Sequence, residues 1–175
     1  MTLHLMVGLP CSGKTTLARQ LERKYSALRF TLDEWHIRLY GQDAAEEEHD
    51  ARHELIEAIQ WDVATRALIL GVDVILDFGC WVRIQRDEYR LRAEQLGTEF
   101  KIHYLDTPKQ MLLSRLVARN ANLPSGTFHI PETKLEEWFR IFEPPFSEEL
   151  PYTLIYRVDE HGAILRHPTH LKSAW

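Results

Sequence analysis

Residues Gly8-Leu-Pro-Cys-Ser-Gly-Lys-Thr15 satisfy the spacing G-x-x-x-x-G-K-[ST] without a mismatch. The chemistry of such a run is capture of a polyphosphate. Its glycines let the backbone curl so that successive N–H groups face phosphate oxygens, and the dipole of the following helix adds positive potential. Gly8, Pro10, Cys11, Ser12, Gly13, Lys14, Thr15 and Thr16 are therefore the expected nucleotide contacts, with ATP and Mg²⁺ as the expected pair. Lys14 is expected to bridge the transferred phosphate and its neighbour, and the Thr15 hydroxyl to ligate the metal. A second metal-side acid belongs at the end of an apolar strand, and Val74-Ile-Leu-Asp77 supplies it. Phe78 follows Asp77, where hydrolytic motors commonly place a water-activating glutamate; this favours transfer to a bound acceptor.

Asp33 follows a second apolar run directly, in Thr31-Leu-Asp-Glu-Trp-His-Ile-Arg38. In a parallel sheet, residues just past the strand ends line the ligand crevice, so Asp33 shares an edge with Gly8, Asp77 and Asp106. A carboxylate there can take the proton of an attacking hydroxyl, and it equally suits a helix N-cap. Arg38, one turn on, is a candidate for holding the acceptor. Arg115 and Arg119 stand four apart on one helical face, placed to stack on a base and to neutralise charge on a transferred phosphoryl group. Arg83, Arg86 and Arg90 share a face that Asp87 and Glu88 interrupt, which reads mainly as an ion-paired surface. His49 and His53 have i, i+4 spacing but no third ligand and no H-E-x-x-H pattern, so metal binding is not expected of them. Trp35 and Trp81 follow strand ends and are candidates for acceptor stacking. Trp61 and the Trp138-Phe139-Phe142 cluster read as packing.

The elements that must position these groups alternate. Strands are expected at Thr2 to Val7, Ala27 to Leu32, Val72 to Leu76, Glu99 to Leu105 and Tyr152 to Val158. Helices are expected at Lys14 to Tyr25, Glu34 to Tyr40, Ala44 to Leu70, Val82 to Leu96, Pro108 to Asn120 and Glu132 to Phe142. The third helix shows Leu55, Ile56, Ile59, Val63, Ala67 and Leu70 as its apolar stripe. Alternation of this kind predicts an α/β protein in three layers, a mostly parallel sheet of five strands with helices on both faces. No linker divides the chain, so residues 1–175 are expected to form one domain, with the stretch 120–142 a small helical lid. The tail after Gly162 is weakly patterned.

The composition fits this frame. A chain of 175 residues with 45% hydrophobic and 27% charged content can bury a core of its own. The formal net charge of -5 argues against a broad nucleic-acid footprint. Two cysteines, Cys11 and Cys80, build no disulfide framework, and no run approaches a membrane span of about 20 apolar residues. A cytoplasmic protein is expected.

Taken together, the phosphate loop, Asp33, Val74-Ile-Leu-Asp-Phe-Gly79 with Trp81 and Arg86, Arg115 with Arg119, and Phe142-Glu-Pro-Pro145 resemble the small P-loop kinases. Within them the chain is similar to the zeta-toxin-like, chloramphenicol-phosphotransferase-like and polynucleotide-kinase-like proteins. The resemblance implies a P-loop NTPase fold with the Asp77 strand beside the Gly8 strand and an arginine-bearing lid. It implies Lys14 and Thr15 as phosphate and metal residues, Asp33 as the acceptor-activating base, and Asp33, Arg38, Trp81 and Arg86 as the acceptor side. Arg115 and Arg119 match an R-x-x-x-R in which the first arginine lies against adenine and the second reaches the phosphates. Polynucleotide kinases usually carry an arginine three residues after the aspartate; His36 stands there, and the arginine is Arg38. A small-molecule hydroxyl acceptor is thus expected ahead of a nucleic-acid 5′ end, and ahead of a nucleotide-dependent switch with no phosphorylated product.

Overall fold

The computed structural model describes residues 1–159 and 161–167. In chain order its elements are β1 (Thr2–Val7), α1 (Lys14–Tyr25), β2 (Leu28–Phe30), α2 (Leu32–Tyr40), α3 (His49–Ile69), β3 (Val74–Gly79), α4 (Arg83–Gln95), β4 (Glu99–Asp106), α5 (Lys109–Ala121), α6 (Glu132–Ile141), a 3₁₀ turn (Ser147–Tyr152), β5 (Thr153–Val158) and β6 (Ile164–His167). The strands lie in the order β2-β3-β1-β4-β5-β6. All neighbours are parallel except β5 and β6.

Side chains on a strand alternate between faces, and this splits the core in two. Leu3, Leu5, Val7, Val74 and Leu76 point to the side covered by Ala64, Ala67 and Leu68 of α3 and by Tyr89 and Ala93 of α4. Met6, Ile75 and Leu105 point to the other side, onto Leu17, Ala18 and Leu21 of α1. The result is the expected three-layer arrangement, with β3 beside β1. It carries one strand more than the sequence suggests. β6 pairs with the far side of β5, through a turn in which Asp159 Oδ1 accepts the main-chain N–H groups of His161 and Ala163. A third apolar cluster lies outside the sheet, where Leu9 of the phosphate loop meets Leu112 and Leu116 of α5 and Leu135 of α6.

The long helix α3 departs from its expected form in two ways. α3 begins at His49 rather than Ala44, because Asp43 is buried and accepts hydrogen bonds from His36, His49 and Arg52, which pins the preceding loop. Its inward face is also rotated from the expected stripe. Ile56, Gln60, Ala64, Ala67 and Leu68 are buried, while Leu55, Ile59, Val63 and Leu70 are exposed. Gln60 earns its inward place by donating from Nε2 to the Thr31 carbonyl at 3.3 Å. A helix apolar on more than one side does not announce which side is buried.

Under α1 the sheet carries a chain of polar groups. His4 Nδ1 lies 2.9 Å from His103 Nε2, and His103 Nδ1 lies 2.9 Å from the Tyr156 hydroxyl. With one proton per ring each bond in this chain has a donor and an acceptor, while His4 Nε2 is left buried with no hydrogen-bond partner among the described residues. Burial lowers His4 to about 4, and burial with the neighbouring His4 lowers His103 to about 3. Both folded values lie below the unfolded value of about 6.5. The stability they permit is therefore complete above pH 6.5 and is lost as pH falls from there toward 4. Unfolding in urea at pH 5.5 should give a free energy about 2 kcal/mol lower than at pH 7, and the double variant H4Q/H103Q should lose most of that difference. Equal slopes with pH in the two proteins would refute the assignment.

Candidate active site

The crevice opens where β1 and β3 end, and it encloses about 1180 Å³. Its floor is the phosphate loop. Gly8 (φ 146°), Cys11 (φ 66°) and Gly13 (φ 102°) all have positive φ, which turns the chain so that the loop curls ahead of α1. At Gly8 a Cβ would stand 2.9 Å from Ser12 Oγ and 3.2 Å from the Leu105 carbonyl oxygen, so side-chain-free backbone is required there. Lys14 Nζ donates to the Gly8 and Leu9 carbonyls at 2.8 and 2.9 Å. Burial lowers its pKa, while the charges of Asp77 and Asp33 oppose that shift.

Asp77 lies within β3 and is 6% exposed, so solvent does little to stabilise its charge. Burial raises its pKa, and the Lys14 ammonium and the Thr15 hydroxyl pull it back. One oxygen accepts from the Thr31 hydroxyl at 3.4 Å; the other, Oδ1, is buried without a well-placed donor. A buried carboxylate oxygen left in this state, beside a threonine hydroxyl, fits a hard divalent cation that takes oxygen ligands. Thr15 and Asp77 are the residues that would hold Mg²⁺.

Asp33 lies across the crevice. It sits in the first turn of α2, whose N-cap is Thr31, so the aspartate is not itself the cap. His53 Nε2 of α3 stands 3.8 Å from Asp33 Oδ1, and this carboxylate raises the His53 pKa against the effect of burial. Arg115 Nη1 donates to the Cys11 carbonyl at 3.3 Å, and Arg119 Nη2 donates to the Phe128 carbonyl at 3.4 Å. Arg119 also acts electrostatically on Lys14 and Cys11, which puts it on the phosphate side. Trp81 lines the crevice with its ring centroid 4.8 Å from that of Trp138.

Pro10, Cys11, Gly13, Lys14, Thr15, Thr16, Asp33, Asp77, Trp81, Arg115 and Arg119 all line this one space. Gly8 and Ser12 form the loop behind it. Three candidates are not brought there. Arg38 is exposed on α2 and is not part of the crevice wall. Arg86 is 1% exposed and holds Glu149 through two bonds of 2.7 and 2.9 Å, while its Nη1 donates to the Cys80 and Trp81 carbonyls. It positions the chain at Trp81 and, buried away from the crevice wall, does not face a substrate there. Trp35 packs edge-on against Phe30 and also lies outside the crevice.

Other wall residues escaped the sequence reading. His53 reaches Asp33 from a helix read only for metal spacing. Gln42 clasps the far wall, donating to the Thr127 carbonyl at 2.8 Å and accepting from the His129 N–H at 3.3 Å. Gly162 and Ile164 close the crevice near Arg115 and Gly13. The i, i+4 pair His49 and His53 was the one available signal; the rest depends on contacts distant in sequence. His36, Asp43 and His49 bring ligand atoms within 4.8 Å of one another. The Arg52 guanidinium already occupies Asp43 Oδ2 at 2.8 Å, so the cluster works as a strut between α2 and α3.

Comparison with known proteins agrees with this architecture. The family profile described as "AAA domain" matches residues 3–145. No protein of curated function matches the sequence. Among solved structures, a "putative kinase" from Chloroflexus aurantiacus j-10-fl superposes with a TM-score of 0.70 at 17% identity, covering 91% of this chain and 89% of that one. Kti12 of Chaetomium thermophilum in complex with ADP-AlF3 gives 0.67 at 21% identity, covering 91% and 92%. A gluconokinase from Sinorhizobium meliloti 1021 gives 0.62 at 16% identity, covering 91% and 83%. At these identities the likeness is one of fold. No helix among the described residues is long and apolar enough to cross a membrane.

Proposed function

This chain belongs to the AAA domain family, and on that footing we propose that it transfers the γ-phosphoryl group of ATP to a hydroxyl of a small-molecule acceptor. The observation that carries the reading is the pairing, across one crevice, of a phosphate loop with its lysine and a separate carboxylate, Asp33, on the opposite wall.

The residues divide the work by position. Main-chain N–H groups of the loop and Lys14 hold the β- and γ-phosphates, and Arg119 meets charge as it spreads over the transferred group. Arg115, beside Cys11 and Gly162, borders the nucleotide. Mg²⁺ on Thr15 and Asp77 would neutralise phosphate charge and orient it. The acceptor oxygen gives its proton to Asp33 as it attacks the γ-phosphorus. The bond to the bridging oxygen breaks, and ADP leaves. His53, 3.8 Å from Asp33, borders the carboxylate and helps set its orientation toward the acceptor oxygen. The segment 120–142, clasped to Gln42, acts as the lid that keeps water from competing.

The acceptor side supports a small molecule over a nucleic-acid end, since Arg38 and Arg86 are both turned away from it. The test is incubation of the protein and MgATP with a panel of hydroxylated metabolites, nucleosides and 5′-hydroxyl oligonucleotides. The reading expects a mass gain of one phosphoryl group on a small acceptor, with equimolar ADP. Steady ADP release with no phosphorylated product across the panel would favour a nucleotide-dependent switch.

A further inference from the structure

Behind Asp33 a second, smaller cavity of about 190 Å³ continues the crevice. Leu32, His53, Phe78 and Trp81 line both spaces, so the two adjoin. Glu57 lies on α3 one turn beyond His53, about 6 Å along the helix, and lines the smaller cavity together with Tyr89 and Gln85. The Tyr89 hydroxyl donates to Glu57 Oε1. The ring of Phe78 stands 6.0 Å from that of Tyr89.

Glu57 is half-buried and forms no salt bridge among the described residues, whereas the cations nearest to it are committed elsewhere. Arg86 holds Glu149 in a two-point contact. Arg92 pairs with Glu88 and lies over the rings of Trp61 and Tyr89. His53 leans to Asp33, and the Glu57 charge acts on it more weakly from one turn away. The Glu57 charge is felt inside the cavity, where it adds to burial in pushing the Cys80 thiol up. A half-buried carboxylate with one phenol donor keeps acceptor positions open to a cation, and aromatic faces around it attract the same partner. Lys14, Arg115 and Arg119 gather around the phosphate loop, and Asp33 and Asp50 join them in the crevice wall, while Glu57 is the acid of the smaller cavity.

We propose that the acceptor is a hydroxylated amine, its ammonium group received by Glu57, its apolar part against Trp81, Phe78 and Tyr89, and its hydroxyl at Asp33. This rests on the phosphotransferase reading for the role of Asp33, but the cation preference of the cavity can be tested by binding alone. Three probes share one ring and one hydroxyl and differ in charge: 2-amino-1-phenylethanol, 1-phenylethane-1,2-diol and mandelate. They are titrated calorimetrically at neutral pH against protein without nucleotide, with a separate MgATP titration of the same preparation.

The amine should bind at least about tenfold more tightly than the diol, the equivalent of about 1.4 kcal/mol, and mandelate should not saturate. E57Q should bring the amine to the affinity of the diol and leave MgATP binding unchanged. Should E57Q not fold, the unmodified protein decides through the ranking itself and its weakening in 0.5 M salt, as screening requires. Mandelate binding as tightly as the amine, an unchanged preference in folded E57Q, or no binding of any probe overturns the proposal. Loss of MgATP binding with the amine preference intact would overturn the phosphotransferase reading and leave the cation site standing.

Discussion

Replacing Lys14 with methionine should lower phosphoryl transfer about a thousandfold while leaving the protein folded. The ammonium sits in a desolvated position, held by the Gly8 and Leu9 carbonyls and facing Asp77. A positive charge there acts through little water on a phosphoryl group that gains charge in the transition state, where a single donor is typically worth about 3–4 kcal/mol. The stability effect has the opposite sign. Burial lowers the Lys14 pKa, so the folded state holds this cation at a cost, and methionine of similar length removes that cost. The thermal midpoint of K14M should equal or exceed that of the unmodified protein. A turnover within tenfold of the original, measured as phosphorylated product under saturating MgATP, would remove Lys14 from the chemistry.

Asp33→Asn should cost about 10²–10⁴ in turnover, the usual worth of a positioned base, with MgATP affinity changed by less than about threefold. Asparagine keeps the shape and loses the proton acceptor. Asp33 is half-exposed and lies across the crevice from the loop, so the nucleotide site is left intact. A second readout separates this role from a structural one. Asp33 is the largest cause raising the His53 pKa, so the His53 ring should titrate at a lower pH in D33N, as followed by its proton resonances. Undiminished product formation in D33N would show that another group takes the proton. An unmoved His53 titration would show that the two side chains are not coupled.

How much of this was legible in the sequence depended on how local each feature is. The phosphate loop is encoded in eight consecutive residues, Gly8 to Thr15, and needs no partner to be recognised. Asp77 follows from an apolar run and Asp33 from its place after another, although the helix begins at Leu32, two residues earlier than the strand-end argument assumed. Arg86 shows the limit. Its helix reads as a solvated basic face, and only Glu149, 63 residues away, turns it inward. Gln60 rotates α3 in the same way through Thr31. Sequence periodicity ranks faces by hydrophobicity, and it cannot weigh a single long-range hydrogen bond that outbids a leucine for the interior. Gly162 and Ile164 were invisible because the tail is weakly patterned, and β6 forms only by pairing with β5.

The outermost rung of the sheet, β2, is three residues long, and its middle position is Arg29, fastened to Glu22 and Glu34. A ladder as apolar as β1 and β3 would, if it ended on a long bare rung, invite a stranger's strand to add itself. Here a newcomer would find few open amide groups and a locked charge cluster in the way. The molecule thereby discourages end-on stacking at the margin next to the Asp77 strand.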